Sequence, residues 1–143
     1  MINPKATIEA KIKEYLDAQT GVITYPVQKG QTVDENLCPT IIVYAQNART
    51  PADIPFGEGN FIINLRIMVI TSAKDIEESS HYEQVQAVKD CLNDTDAIKA
   101  IMDPATDGMI YDLWYEDDEE GKDGTDFGNN LTYTVAMVGP AGD

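Results

Sequence analysis

The chain has 143 residues, 43% of them hydrophobic, and sets 25 acidic against 10 basic side chains for a formal net charge of −15. That length suits one domain with one core, here residues 1–143, and the apolar share excludes wholesale disorder. A body this negative repels nucleic acid and anionic membranes at long range. Its lysines and arginines are spread too thinly for the concentrated basic face that phosphate binding needs, Lys5, Lys11 and Lys13 on the first helix being the one place left for such a face.

The two cysteines, Cys38 and Cys91, are too few for a disulfide framework and are expected as free thiols in a reducing compartment. The opening Met1-Ile2-Asn3-Pro4-Lys5 has no apolar signal core, and the longest apolar stretch, Phe61 to Ile70, is broken by Asn64 and Arg66. A cytoplasmic-type soluble protein without a membrane partner is expected.

In chain order, Asn3 is suited to cap a helix with Pro4 at its first position. Ile8, Ile12 and Leu16 form one apolar stripe, and Gly21 is a stop signal. Val22 to Val27 reads as a short strand, which Pro26 places at a sheet edge. After a polar loop, Pro39 introduces the β-branched strand Thr40–Gln46. Asn47 to Asn60, with Pro51, Pro55, Gly57 and Gly59, reads as a long loop.

Asn60 to Ser72 is the clearest strand. Phe61, Ile63, Leu65, Ile67 and Val69 line a core face, and Ile62, Asn64, Arg66, Met68 and Ile70 line a mixed face suited to another element or a partner subunit. A helix from Ser79 or Ser80 carries Val85, Val88 and Leu92, and Asn93-Asp94-Thr95-Asp96 is placed to cap a shorter helix through Ile98 and Ile101. Two closing strands, Met109–Glu116 and Asn130–Val138, flank a polar, glycine-containing loop and are expected to pair antiparallel. Strands come in runs, so the expected class is α+β: a mainly antiparallel sheet of four to five strands with two main helices packed on it.

Chemistry is sparse. The single histidine, His81, falls at a helix start and reads as a surface or helix-end residue. There is no Gly-x-Ser-x-Gly elbow, phosphate-loop lysine motif or His-Glu-x-x-His. Gly57-Glu58-Gly59-Asn60 precedes a strand, the wrong context for a dinucleotide fingerprint. No catalytic residue, metal ligand or cofactor is assigned. The densest charge comprises Glu116, Asp117, Asp118, Glu119, Glu120, Asp123 and Asp126. Read as a calcium loop from Glu116, it fits in part at Asp118, Glu120 and Gly121 but ends on Phe127, which cannot coordinate. A solvated hairpin loop, or a patch turned to a lumen or partner, are the readings that stay open.

This order of elements resembles the tail terminator, or tail completion, proteins of long-tailed bacteriophages. The likeness rests on the helix Pro4–Thr20, the strand Pro39–Gln46, the long strand Asn60–Ser72 followed by Ala73-Lys74-Asp75, the helix Ser79–Leu92 and the strand pair around Trp114 and Tyr133. It implies a structural protein of the virion tail or neck, assembled in the host cytoplasm and not an enzyme. It implies a six-subunit ring that caps the tail tube and meets the head connector, with DNA passing a lumen without specific binding. The partners are then further copies of the chain, the tail tube protein and head–tail connector proteins. Within that reading Ile54 and Phe56, between prolines and glycines, are a candidate inter-subunit loop, and the acidic residues 116–126 a candidate lumen or partner-facing loop. A head–tail connector or neck protein is the nearest alternative. An acidic DNA-mimic inhibitor is the alternative of another class.

Overall fold

The first helix sets the layers of the structure, a computed structural model that describes residues 3–30, 39–49, 60–72, 78–123 and 126–139, with only the backbone of Glu78, Lys122 and Asp123. Ile54, Phe56 and Cys38 lie outside the described residues. Helix α1 (Pro4–Asp17) is capped by Asn3, whose side chain accepts from the Ala6 N–H at 3.2 Å. Its stripe of Ile8, Ile12 and Leu16 is fully buried, with Tyr15 beside it. The helix stops at Asp17, short of Thr20, and the chain turns through Gly21 at φ 96°.

The expected strand over 22–27 is confined to its end. Strand β1 is Val27–Lys29, because Pro26 has no N–H to give a ladder. The residues before it are held by a side chain instead. Gln84 Oε1 accepts from the Thr24 and Tyr25 N–H groups at 2.8 Å each, and Gln84 Nε2 donates to the Val22 carbonyl at 2.8 Å. Ile23 and Tyr25 are thereby buried without sheet pairing.

Strand β2 (Thr40–Arg49) continues past Gln46 into the expected loop, with Asn47 at φ 53° and a register irregularity between Gln46 and Arg49. Strand β3 spans Asn60–Ser72 as expected. Ile63, Leu65, Ile67 and Val69 are fully buried, Phe61 is half-buried against the same core, and the mixed face is half-buried throughout. Helix α2 is Glu78–Leu92, and α3 is Thr95–Ala100, capped by Asp94 through the Ala97 N–H at 3.1 Å. Strands β4 (Met109–Asp123) and β5 (Asp126–Val138) form a long antiparallel hairpin.

The five strands run in the order β1-β2-β3-β5-β4, antiparallel except for β1 against β2. Helices α1 and α2 lie on one face, α1 against β1 and β2, α2 against β3 and β5. The core lies between, built from that face's Ile41, Val43, Leu131, Val135 and Met137 together with Val85, Val88 and Leu92. The class is α+β with a mainly antiparallel sheet. Gly108 opens the final hairpin at φ 87°, so close that a Cβ there would sit 2.0 Å from the Val138 carbonyl oxygen.

Candidate assembly surfaces

The acidic stretch is not a loop. Glu116 to Glu120 lie within β4, with Asp117 to Glu120 paired with Thr132 to Asn129 of β5, and the ladder closes at Asp123 opposite Asp126. Carboxylates are poor strand formers, but β4 is an edge strand with one flank in water, where charge is tolerated and discourages unwanted pairing. Two bulges, at 110–112 and 115–117, kink it further.

Pairing divides the acids between the two faces of the sheet. Asp118 and Glu120 stand opposite the core-side residues Leu131 and Asn129, whereas Asp117 and Glu119 stand opposite Thr132 and Asn130. Glu116 accepts from the Trp114 indole N–H and from the Thr134 hydroxyl, the latter at 3.1 Å. Asp118 is the one drawn inward: it accepts from Lys89 of α2 at 2.7 Å and from Asn129 Nδ2 at 2.8 Å. The Lys89 ammonium is held above its ordinary pKa chiefly by its hydrogen bond to Asp118, with burial opposing.

Four of the six exposed large hydrophobic side chains lie on β4: Met109, Tyr111, Trp114 and Tyr115, against Val22 and Tyr82 elsewhere among the described residues. One exposed apolar side chain is ordinary, but a run of aromatics on one strand marks a contact surface. Tyr115 packs edge-on to Tyr133 at 5.6 Å between ring centres and receives Lys89 over its face. The first half of β4 is thus aromatic and the second half acidic. The periodicity of the sequence marks the strand but not its place at the edge, so these aromatics were indistinguishable from core residues.

His81 is a correction. It is buried, with 1% of its surface exposed, because α2 turns that side of its first turn onto the sheet. Its Nε2 lies 2.7 Å from Asn129 Oδ1 and its Nδ1 2.7 Å from Thr71 Oγ1. Asn129 uses its amide N–H on Asp118, so its oxygen faces His81 and accepts from Nε2–H. The imidazole is a structural cross-link and lies away from Cys91. That thiol is half-buried and pushed up in pKa by burial, the reverse of an activated nucleophile. Among the described residues no group of three or more His, Cys, Asp or Glu is disposed to hold a metal ion.

Across the sheet from the helices lies an open face bearing Arg66, whose Nε is buried without an acceptor, and Asn130, whose Oδ1 is buried without a donor. A depression of about 540 Å³ by the β4–β5 hairpin is lined by Met68, Ile70 and Glu119 from this face, together with Glu120, Asp126 and Phe127 at the end of the hairpin. It holds no nucleophile and base within reach of each other.

No family model matches the chain, and no curated protein does. Among solved structures it is similar to a chain of the virion of a native gene transfer agent particle, with 14% sequence identity and a TM-score of 0.68. The alignment covers 92% of this chain and 95% of that one, so the two share one fold from end to end.

Proposed function

We propose that this protein is a structural component of a phage-like virion, of the tail terminator kind, forming a ring, hexameric in its relatives by resemblance, that caps the tail tube and meets the head connector. The observation that carries the reading is the end-to-end likeness, over 92% of the chain, to a chain of a gene transfer agent virion. It agrees with the bacteriophage resemblance read from the sequence. The aromatic edge of β4 supports an assembling role, since Tyr and Trp dominate the energetics of protein contacts.

The formal charge of −15 supports passage of DNA through a lumen without adhesion. The acidic half of β4 is the candidate lumen or partner-facing surface, and Ile54 and Phe56 the candidate contact to a neighbouring subunit. A connector or neck protein is the second reading, because the same fold likeness serves it equally. A DNA mimic is disfavoured by the split of the β4 carboxylates between two sheet faces, where a mimic needs one broad face.

Light scattering and electron microscopy of the purified protein, alone and mixed with tail tubes, test the reading. A ring of about six copies that seats on tube ends is expected for a terminator. Rings that ignore tube ends but bind connector would point to the neck, and a monomer that binds neither would overturn both.

A further inference from the structure

The two margins of the sheet carry opposite charge in matching rows. At one margin β1 and β2 contain no carboxylate and carry Lys29 and Arg49, both exposed and without an ion pair among the described residues. At the other margin β4 carries Asp112 and the run Glu116 to Glu120. Following the ladder across the sheet, Lys29 is level with Val43, Ile67, Leu131 and then Asp118. Arg49 is level with Ile62, Ala136 and then Asp112. Paired residues point to the same face. Lys29 therefore shares the helix-side face with Asp118 and Glu120, and Arg49 shares the open face with Asp112. Each cation has its carboxylate on its own face and in its own row or the next on that face.

We infer that copies of this chain join margin to margin, β1 and β2 of one beside β4 of the next. This assignment of the contact rests on the ring reading above. A lateral repeat of the sheet brings Arg49 to Asp112 and Lys29 to Glu120, the exposed neighbour of an Asp118 already bound to Lys89. The contact joins two different surfaces, so it propagates head to tail and closes into a ring where the rotation permits. Trp114 and Tyr111 lie on the same strand and supply the apolar area that charges alone do not. The contact is one of side chains. The Ala45 N–H at the β2 margin is already taken by Glu9 of α1 at 3.0 Å, and β4 is bulged, so neither margin offers a clean ladder.

The test uses two charge-reversed full-length proteins, Lys29→Glu with Arg49→Glu, and Asp112→Lys with Glu120→Lys. Each spoils one margin. Each alone is expected to stay folded by near-ultraviolet circular dichroism and to need about a hundredfold higher concentration to assemble. An equimolar mixture restores opposite charges at every contact and is expected to assemble as the unmodified protein does. If the unmodified protein forms rings and both variants form them equally well, the margin contact is overturned and the ring reading stands. The margin contact is equally overturned if both variants are folded monomers whose mixture fails to assemble. If the unmodified protein is itself a monomer at all concentrations, both fall together.

Discussion

His81 Nε2 and Asn129 Oδ1 meet at 2.7 Å, a contact that joins the first turn of α2 to β5 across 48 residues of sequence. The chain of polar groups continues on both sides. Thr71 on β3 shares a hydroxyl–hydroxyl hydrogen bond of 3.0 Å with Tyr25, and Asn129 passes through Asp118 to Lys89. One buried network thus spans the segment before β1, the central strand, a helix and the edge hairpin. Removing its middle strands partners on both sides, and each buried polar group left unpaired costs about 1–3 kcal/mol. His81→Ala is expected to destabilise the fold by about 2–4 kcal/mol in urea titrations. A change below about 0.5 kcal/mol would show that the network does not hold α2 to the sheet.

The pair at the outer end of that network is weaker but separable. Lys89 and Asp118 have side chains 30% and 17% exposed and meet at 2.7 Å. A double-mutant cycle with Lys89→Ala and Asp118→Ala is expected to give a coupling of about 1 kcal/mol, reduced in high salt. Asp118→Ala should cost more than Lys89→Ala, since it also strips Asn129 of its acceptor. Additive single effects would mean that the pair forms no net bond.

Much of this fold is legible in the sequence, and the reasons are local. The stripe Ile8, Ile12, Leu16 and the alternation over 60–72 each follow from one period of one element, and both are borne out. Failures occur where a decision belongs to tertiary partners. Asp117 to Glu120 have the composition of a loop, and only their pairing with β5 makes them a strand. His81 looks like a surface residue until Thr71 and Asn129, on two different strands, are brought to its two nitrogens. The strand ending at Val27 fails for a similar reason, because Gln84, far along the chain, supplies the bonds a ladder would have given. Which margin β4 occupies is a property of strand order and has no local signal at all.

Alkaline pH should expose the burial of Tyr133. Burial raises this phenol far above its ordinary range, with the charges of Tyr115 and Asp118 adding to the effect. Its folded pKa is raised, so its contribution is intact below the unfolded value near 10 and is lost as pH climbs from there towards the folded one. Lys89 and Lys11 are also raised, each first by a hydrogen bond to an aspartate, and act in the same direction. Stability should fall steadily as pH rises above about 10, and Tyr133→Phe should flatten that fall. A Tyr133→Phe protein with the same alkaline limb would place the loss elsewhere.

Gly108 is fixed by space and by conformation together. Its φ is 87°, and an added Cβ would meet the Val138 carbonyl oxygen at 2.0 Å, an atom of backbone that cannot swing aside. Gly108→Ala is expected to cost about 2–4 kcal/mol and to loosen the start of the β4–β5 hairpin. Gly21→Ala is its control: that glycine also has positive φ, 96°, but has nothing within 4 Å of the added carbon. Strain alone, about 1 kcal/mol, is expected there. Thermal melts of the two variants separate the clash from the strain, and equal losses would remove the clash from the account.

Arg49 and Ile62, on the strands that precede and follow residues 50–59, are paired across β2 and β3. Among the described residues Arg49 is the unpaired cation of the β2 margin. Ile54 and Phe56, in the sequence between those two strands, are the candidate contact to a neighbouring subunit. Replacing both by aspartate puts charge where an apolar contact is proposed, and an unpaired charge at a desolvated interface is strongly unfavourable. Ile54→Asp with Phe56→Asp is expected to abolish ring formation in light scattering, with a melting temperature within about 3 °C of the parent. Retained rings would overturn the anchor role. A large fall in melting temperature would show instead that the two side chains cover the protein's own core. The two outcomes are physically distinct, because a core residue is buried before assembly and an anchor only after it.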